Sequence, residues 1–326
     1  MTEVNSNAVT VILPILNEEL YLEHAVNSIL EQKFQGQIEI ILAVGPSKDR
    51  TLELARKLSD ADPRIKVIEN PTGRTAAGLN LAIKYSNFPI IVRVDGHANI
   101  PNNYIATAVE LITTTGAVNV GGVMAAEGQN NFERSVARAM RSPLGVGAAK
   151  FHTGGSAGEV DTVYLGVFKR EALLAVGGFD EHFTRAQDWE LNHRLRLNGG
   201  KIYFDPRLTV TYRPRRSLIA LAKQYFEYGR WRRVVTRIHR ETINYRYLAP
   251  PLTFLGVMGS IIASIFQPIF IFPAVIYGAF LVLAALKIGK GLIEKLLLPI
   301  VLFTMQMSWG FGFLTSPKSL ASNKGS

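Results

Sequence analysis

The forty residues from 247 to 286 contain no Asp, Glu, Lys or Arg. A membrane-spanning helix needs about 20 predominantly apolar residues, so this stretch has the length of two, and Gln267 and Pro268 divide it. A third apolar segment, residues 296–314, follows a polar stretch at residues 287–295. Helices that are apolar on all sides lack the polar stripe of a soluble surface helix. The pattern predicts two or three membrane-embedded helices, with a buried helical bundle as the alternative.

Lysines in the connecting polar stretch indicate how such helices are oriented. Lys287, Lys290 and Lys295 place this stretch in the cytoplasm, because cytoplasmic loops carry the excess of basic residues. The first residues have neither the basic region nor the apolar core of a signal peptide, and the chain contains no cysteine. The sequence therefore predicts a multi-pass protein of the cell membrane whose polar part is cytoplasmic. A third span would leave the C-terminus outside.

Basic residues are concentrated just before the apolar region. Between Arg207 and Arg240 there are ten Lys or Arg residues and one acid, Glu227. Aromatic residues, among them Tyr225 and Trp231, lie between them. Such a segment suits an anionic lipid surface, although similar compositions occur in nucleic-acid-binding proteins. The adjoining apolar segment favours membrane lipids as the partner and argues against nucleic acid.

Apolar runs alternate with helical patterns in the polar part of the chain. Strands are predicted at residues 9–13, 38–44, 65–69 and 88–94, and helices at residues 18–32, 51–61 and 75–85. This alternation predicts a parallel sheet covered by helices on both faces. The loops after the strands then share one edge of the sheet, where ligands bind in open α/β folds. Neither G-x-G-x-x-G nor a P-loop occurs, so the phosphate-binding loops of dinucleotide enzymes and NTPases are absent.

The fourth predicted strand ends in Asp95, Gly96 and His97. A carboxylate and an imidazole two residues apart can converge on one divalent cation. The alternative is a plain turn, since Asp-Gly is a common turn pair. A cation held here would neutralise a bound diphosphate in a chain that has no P-loop.

Several motifs resemble those of one known family. Residues 11–19, Val-Ile-Leu-Pro-Ile-Leu-Asn-Glu-Glu, resemble the opening of family 2 glycosyltransferases, which have the GT-A fold. Residues 95–97 resemble the family's D-x-D metal motif, with His as the third residue. Further similarities lie at residues 161–166, 177–180 and 187–191, in the acceptor half, and at residues 224–231, which resemble a Q-x-x-R-W segment. In combination they are most similar to the membrane glucosyltransferases of succinoglycan-type exopolysaccharide synthesis.

One loop departs from the family pattern. The family usually has an acid pair at the end of its second strand, where this chain has Val44 and Gly45. An acid at that position contacts the nucleotide base in the family, so the sequence does not predict which nucleotide base the donor carries.

The resemblance implies a domain organisation and a fold class. The expected fold is α/β, with a GT-A-like nucleotide-sugar-binding domain whose central sheet is mixed and mostly parallel. Interfacial helices and C-terminal transmembrane helices follow. The corresponding domains are residues 1–213 for catalysis, residues 214–246 for basic amphipathic interface helices, and residues 247–326 for the membrane region.

The resemblance also assigns roles to individual residues. Asp188 is expected to be the general base, with a helix N-cap as the structural alternative. Asp95 and His97 are expected to hold Mg²⁺ or Mn²⁺, with Asp95 also beside the donor. The other donor contacts are expected from Pro14, Asn17, Glu18, Asp49 and Arg74. Asp49 would lie near the base or ribose unless it only caps the next helix, and Arg74 would reach the diphosphate unless it is a plain surface residue.

Arg93 precedes the metal motif on the opposite strand face from Val94. It is expected either to contact a ligand or to form a buried pair.

The function that these expectations support is inverting glycosyl transfer. The donor would be a nucleotide-sugar, most readily a UDP-sugar, and the acceptor a polyprenyl-diphosphate-linked glycan at the cytoplasmic membrane face. One alternative is a polyprenyl-phosphate sugar synthase, which would need no strong base because its acceptor is already a phosphate. The other is a membrane-tethered sugar-nucleotide-binding subunit without turnover.

Overall fold

A computed structural model describes residues 7–147, 149–243 and 245–322 of the chain. These residues form two compact units. The first contains the chain up to residue 125 together with residues 154–212, and the second contains residues 126–153 and 213 onward. The second unit thus resumes at the predicted end of the catalytic domain. The excursion at residues 126–153 has no counterpart in the predicted domains, whose boundaries stay a prediction.

The strands of the described residues are β1 Ala8–Ile15, β2 Gln37–Val44, β3 Ile65–Glu69, β4 Ile90–Arg93, β5 Asn119–Ala126, β6 Gly158–Glu159, β7 Tyr164–Lys169 and β8 Ile202–Tyr212. The helices are α1 Leu22–Leu30, α2 Thr51–Ala61, α3 Thr75–Tyr85, α4 Tyr104–Thr115, α5 Asn131–Met140, α6 Pro143–Val146, α7 Lys150–Thr153, α8 Arg170–Ala175, α9 Gln187–Leu197, α10 Leu218–Ile238, α11 Tyr245–Ser264, α12 Phe272–Ile288, α13 Leu292–Thr315 and α14 Ser319–Ser322. Short 3₁₀ helices lie at Arg240–Thr242 and Pro268–Ile271.

A mixed sheet with the strand order β3-β2-β1-β4-β7-β5-β8-β6 forms the first unit. β1 to β4 pair in parallel, whereas β7 runs antiparallel to both β4 and β5. β2 and β4 are almost entirely buried, which is why their sequences are continuous apolar runs. Successive side chains of β1 enter two separate cores: Val11 belongs to one and Ile12 to the other. The predicted α/β fold with a mixed, mostly parallel sheet is therefore confirmed.

The first helix begins later than predicted. The pattern indicated a helix from residue 18, but α1 starts at Leu22. Asn17 has a left-handed backbone with φ 56°, and the backbone N–H of Glu18 donates to Thr51 Oγ1 at 2.7 Å. Residues 17–19 are thus held in a loop by the neighbouring loop, an interaction that helical periodicity does not reveal.

Glu39 is a buried carboxylate on β2, near the amino ends of the strands. It accepts hydrogen bonds from Thr10 Oγ1 at 2.8 Å, from Asn87 Nδ2 at 2.6 Å and from Lys66 Nζ at 2.5 Å. Burial acts to raise the pKa of Glu39, but the bonds from Lys66, Asn87 and Thr10 outweigh it, and the pKa is lowered. The ionised carboxylate therefore stabilises the folded state.

We expect Glu39→Gln to destabilise the protein by about 1–3 kcal/mol at neutral pH, because charged hydrogen bonds are lost. A folded-state pKa below the unfolded value gives stability that is present above the unfolded pKa and is lost as pH falls through the folded pKa. The difference in unfolding midpoint between wild type and variant should therefore shrink towards acid pH. Thermal unfolding between pH 3 and pH 7 measures it. The exposed Glu31→Gln is the control, and a pH-independent difference would contradict the account.

The second unit is entirely helical within the described residues. α5 begins with an N-cap, in which Asn130 Oδ1 accepts from the N–H of Glu133 at 2.9 Å. Glu133 Oε2 also accepts from the N–H of Gln129 at 2.8 Å. Three helical segments are long and apolar enough to cross a membrane: Tyr247–Ser264, Pro268–Ile288 and Leu292–Thr315. These three apolar segments associate the protein with a membrane.

Candidate active site

The loops after β1 and β2 are joined by hydrogen bonds from side chains to backbone. Asn17 Oδ1 accepts from the N–H of Lys48 at 2.8 Å, and Asp49 Oδ2 accepts from the N–H of Glu19 at 3.2 Å. Asp49 Oδ1 also accepts from the N–H of Thr51 at 3.1 Å, at the start of α2. Burial acts to raise the pKa of Asp49, but its bonds to Thr51 and Glu19 lower it overall. Asp49 thus binds the first N–H of α2, as expected if it caps this helix, and it also joins the two loops at the carboxyl edge of the sheet.

His97 lies beside Glu18 in the turn after β4. The Glu18 Oε1 and His97 Nδ1 atoms are 2.8 Å apart, although Glu18 comes from the loop after β1. Gly96 permits this approach, because a Cβ at that position would lie 2.8 Å from Ile15 Cγ2 and 3.0 Å from Glu18 Cγ. The contact with Glu18 orients the His97 imidazole at the carboxyl edge of the sheet.

Arg93 connects the two carboxylates that the sequence analysis singled out. Its Nη2 donates to Asp95 Oδ1 at 3.1 Å and its Nε to the same oxygen at 3.3 Å. Its Nη1 donates to Asp188 Oδ1. The Arg93 side chain is 6% exposed, and its guanidinium also lies 5.7 Å from the centre of the Phe179 ring. Arg93 therefore forms the buried pair that was one of its two expected roles, and it brings Asp95 and Asp188 to one place.

Asp188 lies in the first turn of α9, which other residues fix in position. Ala186 precedes the helix with a left-handed backbone, φ 60°, an uncommon conformation for a residue with a Cβ. Glu190 is paired with Arg194 through two contacts of 2.7 Å. Arg194 Nη2 also donates to the carbonyl of Gly178 at 2.9 Å. Since Glu190 is fully engaged, Asp188 is the carboxylate of this turn that is left for chemistry.

The electrostatic surroundings of Asp188 favour a base. Burial raises the pKa of Asp188, the charge of Arg93 opposes this, and the charge of Asp95 adds to the increase, so that the pKa is raised overall. Burial opposes the charged form of Arg93, but the charges of Asp188 and Asp95 raise its pKa. No described residue donates a hydrogen bond to Asp188 Oδ2, and the side chain is 28% exposed. This oxygen is available to accept a proton.

Tyr164 lies in the same cluster and was not assigned a role from the sequence. The antiparallel register pairs Ile90 with Lys169 and Val92 with Val167, which brings the start of β7 level with the turn after β4. Burial raises the pKa of the Tyr164 hydroxyl well above its usual value, and the charge of Asp95 raises it further. The next residue, Leu165, has φ 59°, where the pairing with β5 is irregular. The position of Tyr164 in the D-T-V-Y-L-G run could have indicated a role for it. The bulge beside Tyr164, by contrast, cannot be predicted from the sequence.

The other expected donor contacts lie along the same edge without touching this cluster. Pro14 is half-buried at the end of β1. A Cβ added to Gly78 would lie 3.3 Å from the Cβ of Pro14. The Arg74 side chain is exposed at the start of α3. Asn17 and Asp49 form the hydrogen bonds that join the loops after β1 and β2. The roles of these residues in donor binding stay predictions.

The residues at the turn after β4 fit a divalent cation by their chemistry. Arg93 occupies Asp95 Oδ1, and no described residue donates to Oδ2. Glu18 orients the His97 ring through Nδ1, as a carboxylate usually does for a metal-binding histidine. One carboxylate oxygen and one imidazole nitrogen leave most positions of an octahedral ion for diphosphate and water. Carboxylate and water ligands suit both Mg²⁺ and Mn²⁺.

The chain is similar to known proteins along most of its length. A sequence profile described as "Glycosyl transferase family 2" matches residues 10–177. The chain is 29% identical over 95% of its length, and 95% of the relative, to the succinoglycan biosynthesis protein ExoA of Rhizobium meliloti (strain 1021). It is 24% identical over 94% of its length, and 96% of the relative, to a dolichyl N-acetyl-α-D-glucosaminyl phosphate 3-β-D-2,3-diacetamido-2,3-dideoxy-β-D-glucuronosyltransferase of Methanococcus voltae.

A solved structure with a similar fold contains both a donor and a metal. It is the mannosyltransferase PcManGT from Pyrobaculum calidifontis in complex with GDP-Man and Mn²⁺. The similarity covers 97% of this chain and 88% of the other, with a TM-score of 0.58 and 20% sequence identity. Since the profile spans half of the chain, and the relatives match along nearly all of it, the chain belongs to glycosyltransferase family 2.

Proposed function

We propose that this protein is an inverting, metal-dependent glycosyltransferase that moves a sugar from a nucleotide-sugar to a polyprenyl-diphosphate-linked glycan at the cytoplasmic face of the membrane. The observation that carries the proposal is the double contact of Arg93. It joins a metal-competent carboxylate, Asp95, to the carboxylate with a raised pKa, Asp188. Donor activation and acceptor deprotonation are thereby adjacent at the carboxyl edge of the sheet.

In the proposed reaction, Asp188 acts on the acceptor. Its Oδ2 accepts the proton of the acceptor hydroxyl while that oxygen forms a bond to the anomeric carbon of the donor sugar. The bond from this carbon to the diphosphate oxygen breaks on the opposite face, and its electron pair leaves with the nucleoside diphosphate. Asp95 and His97 would hold a divalent cation, which would supply charge stabilisation for that leaving group. One base then suffices, and inversion follows from the single displacement.

The membrane surface supports a lipid-linked acceptor. Three apolar helices tether the protein to the bilayer, where a polyprenyl carrier is confined. The relative from Methanococcus voltae is named for a dolichyl-phosphate-linked acceptor. We propose that α11 and α12 cross the membrane as a hairpin, with the catalytic unit cytoplasmic, because Lys287 lies in the last turn of α12 and Lys290 follows it.

The donor base is part of the proposal. The resemblance to succinoglycan-type glucosyltransferases favours a UDP-linked sugar. GDP-Man in the similar structure makes a GDP-linked sugar the alternative.

Release of nucleoside diphosphate from a panel of UDP-, GDP- and dTDP-sugars tests the function. Purified full-length protein would be assayed with Mn²⁺, Mg²⁺ or EDTA, with and without a membrane-lipid extract. We expect metal-dependent release from one donor, stimulated by the extract and abolished in Asp95→Ala and His97→Ala. The exposed Asp60→Asn is the matched control and should retain activity.

Other outcomes of that assay would favour the alternatives. Donor binding without release in the presence of extract would favour a binding subunit. Transfer to polyprenyl phosphate that survives Asp188→Asn would favour a polyprenyl-phosphate sugar synthase. No binding of any nucleotide-sugar would overturn the proposal.

The contact between Glu18 and His97 gives a prediction about metal affinity. We expect Glu18→Gln to weaken Mn²⁺ binding by about 10- to 100-fold, because loss of a carboxylate behind a metal-binding histidine typically has this cost. Electron paramagnetic resonance of free Mn²⁺ measures the affinity independently of turnover. The matched control is Glu19→Gln, which removes the adjacent carboxylate that accepts from the N–H of Arg50 at 3.1 Å. Equal Mn²⁺ affinity in the two variants would contradict a role for Glu18 in supporting a metal-binding His97.

A further inference from the structure

Helix α13 has the length and hydropathy of a membrane span, but its packing differs from that of α11 and α12. Half of its apolar window, 50%, is buried inside the protein, against 17% for each of the other two segments. We propose that α13 lies in the plane of the membrane interface and does not cross the bilayer. Lys290 before the helix and Lys318 after it would then face the same side of the membrane. This inference concerns topology and does not depend on the proposed reaction.

Polar contacts hold α13, from its first turn to past its middle, against other helices of the second unit. Glu294, in the first turn, pairs with Arg138 of α5 at 3.4 Å between Oε2 and Nε. Gln306, past the middle of the helix, donates from Nε2 to the carbonyl of Leu144 in α6 at 3.0 Å. Arg138 belongs to α5, which is amphipathic and charged and is therefore unsuited to the hydrocarbon core.

The second half of α13 packs against α10, its most extensive partner. The backbones come so close that a Cβ on Gly229 would lie 2.0 Å from the carbonyl oxygen of Trp309. At the end of the helix, Arg237 of α10 donates to the carbonyl of Ser316 at 2.9 Å and to that of Pro317 at 2.8 Å. Contacts with charged helices thus reach from the first turn of α13 to its last.

The charge of α10 excludes a transmembrane position for this pair of helices. Where α10 meets the second half of α13, it carries four arginines: Arg230, Arg232, Arg233 and Arg237. A charged side chain at the centre of a bilayer is strongly unfavourable. Because α13 is packed against this helix, α13 could cross the bilayer only by drawing these guanidinium groups into hydrocarbon.

The opposite face of α13 presents an apolar stripe. Exposed residues recur every three or four positions at its start, with Leu292 75% and Ile300 52% exposed, and the pattern is that of one helix face. The other exposed members are Ile293, Leu296, Phe303, Phe311 and Leu314. Exposed lysines stand at both ends, Lys290 before the helix and Lys318 after it. An apolar stripe flanked by cations fits the boundary between acyl chains and anionic headgroups.

Labelling of single cysteines tests the proposal, and the chain contains no native cysteine. Gln267→Cys, Lys290→Cys and Lys318→Cys each change an exposed residue. Spheroplasts that express the full chain would be treated with a membrane-impermeant maleimide before and after lysis. We expect Lys290→Cys and Lys318→Cys to react only after lysis, whereas Gln267→Cys at the tip of the hairpin reacts before it.

Each labelling outcome decides the position of α13. Reaction of Lys318→Cys before lysis, with Lys290→Cys protected, would mean that α13 crosses the membrane and would overturn the inference. Equal behaviour of the two positions supports it. The accessibility of Gln267→Cys relative to Lys290→Cys tests the hairpin separately, so a failure of one proposal is distinguishable from a failure of the other.

A depth measurement gives an independent test in lipid vesicles. Ile300 lies within about 5 Å of the middle of α13 at 1.5 Å per residue, and Leu255, which is also exposed, lies at the middle of α11. Each would be changed to Cys and labelled with a bimane fluorophore. We expect lipids with a spin label at carbon 5 to quench position 300 more than lipids labelled at carbon 12, and the reverse at position 255. Stronger quenching by the deep label at position 300 would overturn the proposal.

Discussion

Asp188→Asn should lower kcat by about 10²- to 10⁴-fold, the usual contribution of a general base, while donor KM changes little. The amide keeps the shape of the side chain and its contact with Arg93, but it cannot accept the proton of the acceptor hydroxyl. In the proposed function, donor binding depends on the loops after β1, β2 and β3 and on the turn after β4, which the substitution leaves intact. Steady-state transfer kinetics test the expected loss of kcat. Calorimetry on the same preparation tests whether donor binding is unchanged.

The pH profile sharpens this prediction. Only ionised Asp188 can act as base, and its pKa is raised by burial and by the charge of Asp95. The acid limb of kcat/KM should therefore fall at a higher pH than the ordinary aspartate value of 3.8. The residual activity of Asp188→Asn should lack this limb. If Asp188→Asn had an unchanged kcat and an unchanged pH profile, Asp188 would not take part in the reaction. Glu190 would not act in its place, because it is paired with Arg194.

Local patterns in the sequence predicted the elements that local physics determines. The bounds of α2, β3 and α3 agree with the predicted ranges, because apolar periodicity and flanking turn residues act over a few positions. Alternating strands and helices predict a parallel sheet whose loops share one edge, so the placement of Asp95 and His97 at that edge was also accessible. For Arg93 the strand pattern left two roles open, and only the fold decides between them.

Contacts between distant residues could not be derived from the sequence. The Arg93 contact to Asp188 spans 95 positions and the His97 contact to Glu18 spans 79, and neither has a local signal. The bulge at Leu165 and the left-handed Ala186 contradict residue preferences, as strained backbones at functional sites often do. The membership of residues 126–153 in the helical unit likewise depends on packing.

Arg93→Met is the substitution with the second large expected effect. Removing one partner of a buried ion pair typically costs about 3–5 kcal/mol, and here two carboxylates lose their shared cation. The pKa of Asp188 should rise further, because the lowering effect of Arg93 disappears while burial and the charge of Asp95 remain. We expect the acid limb of kcat/KM to move to higher pH, with a kcat about 10²-fold lower, as for a misplaced catalytic group.

Arg93→Lys separates charge from geometry at the same position. A lysine retains the positive charge but cannot form three hydrogen bonds to two carboxylates from one planar group. The acid limb should therefore return towards the wild-type pH, while kcat stays low because Asp95 and Asp188 are no longer held in register. A structural role alone would lower the unfolding midpoint of both variants without moving the acid limb of either. The pH dependence of kcat/KM, rather than the loss of activity, therefore decides whether Arg93 positions the base.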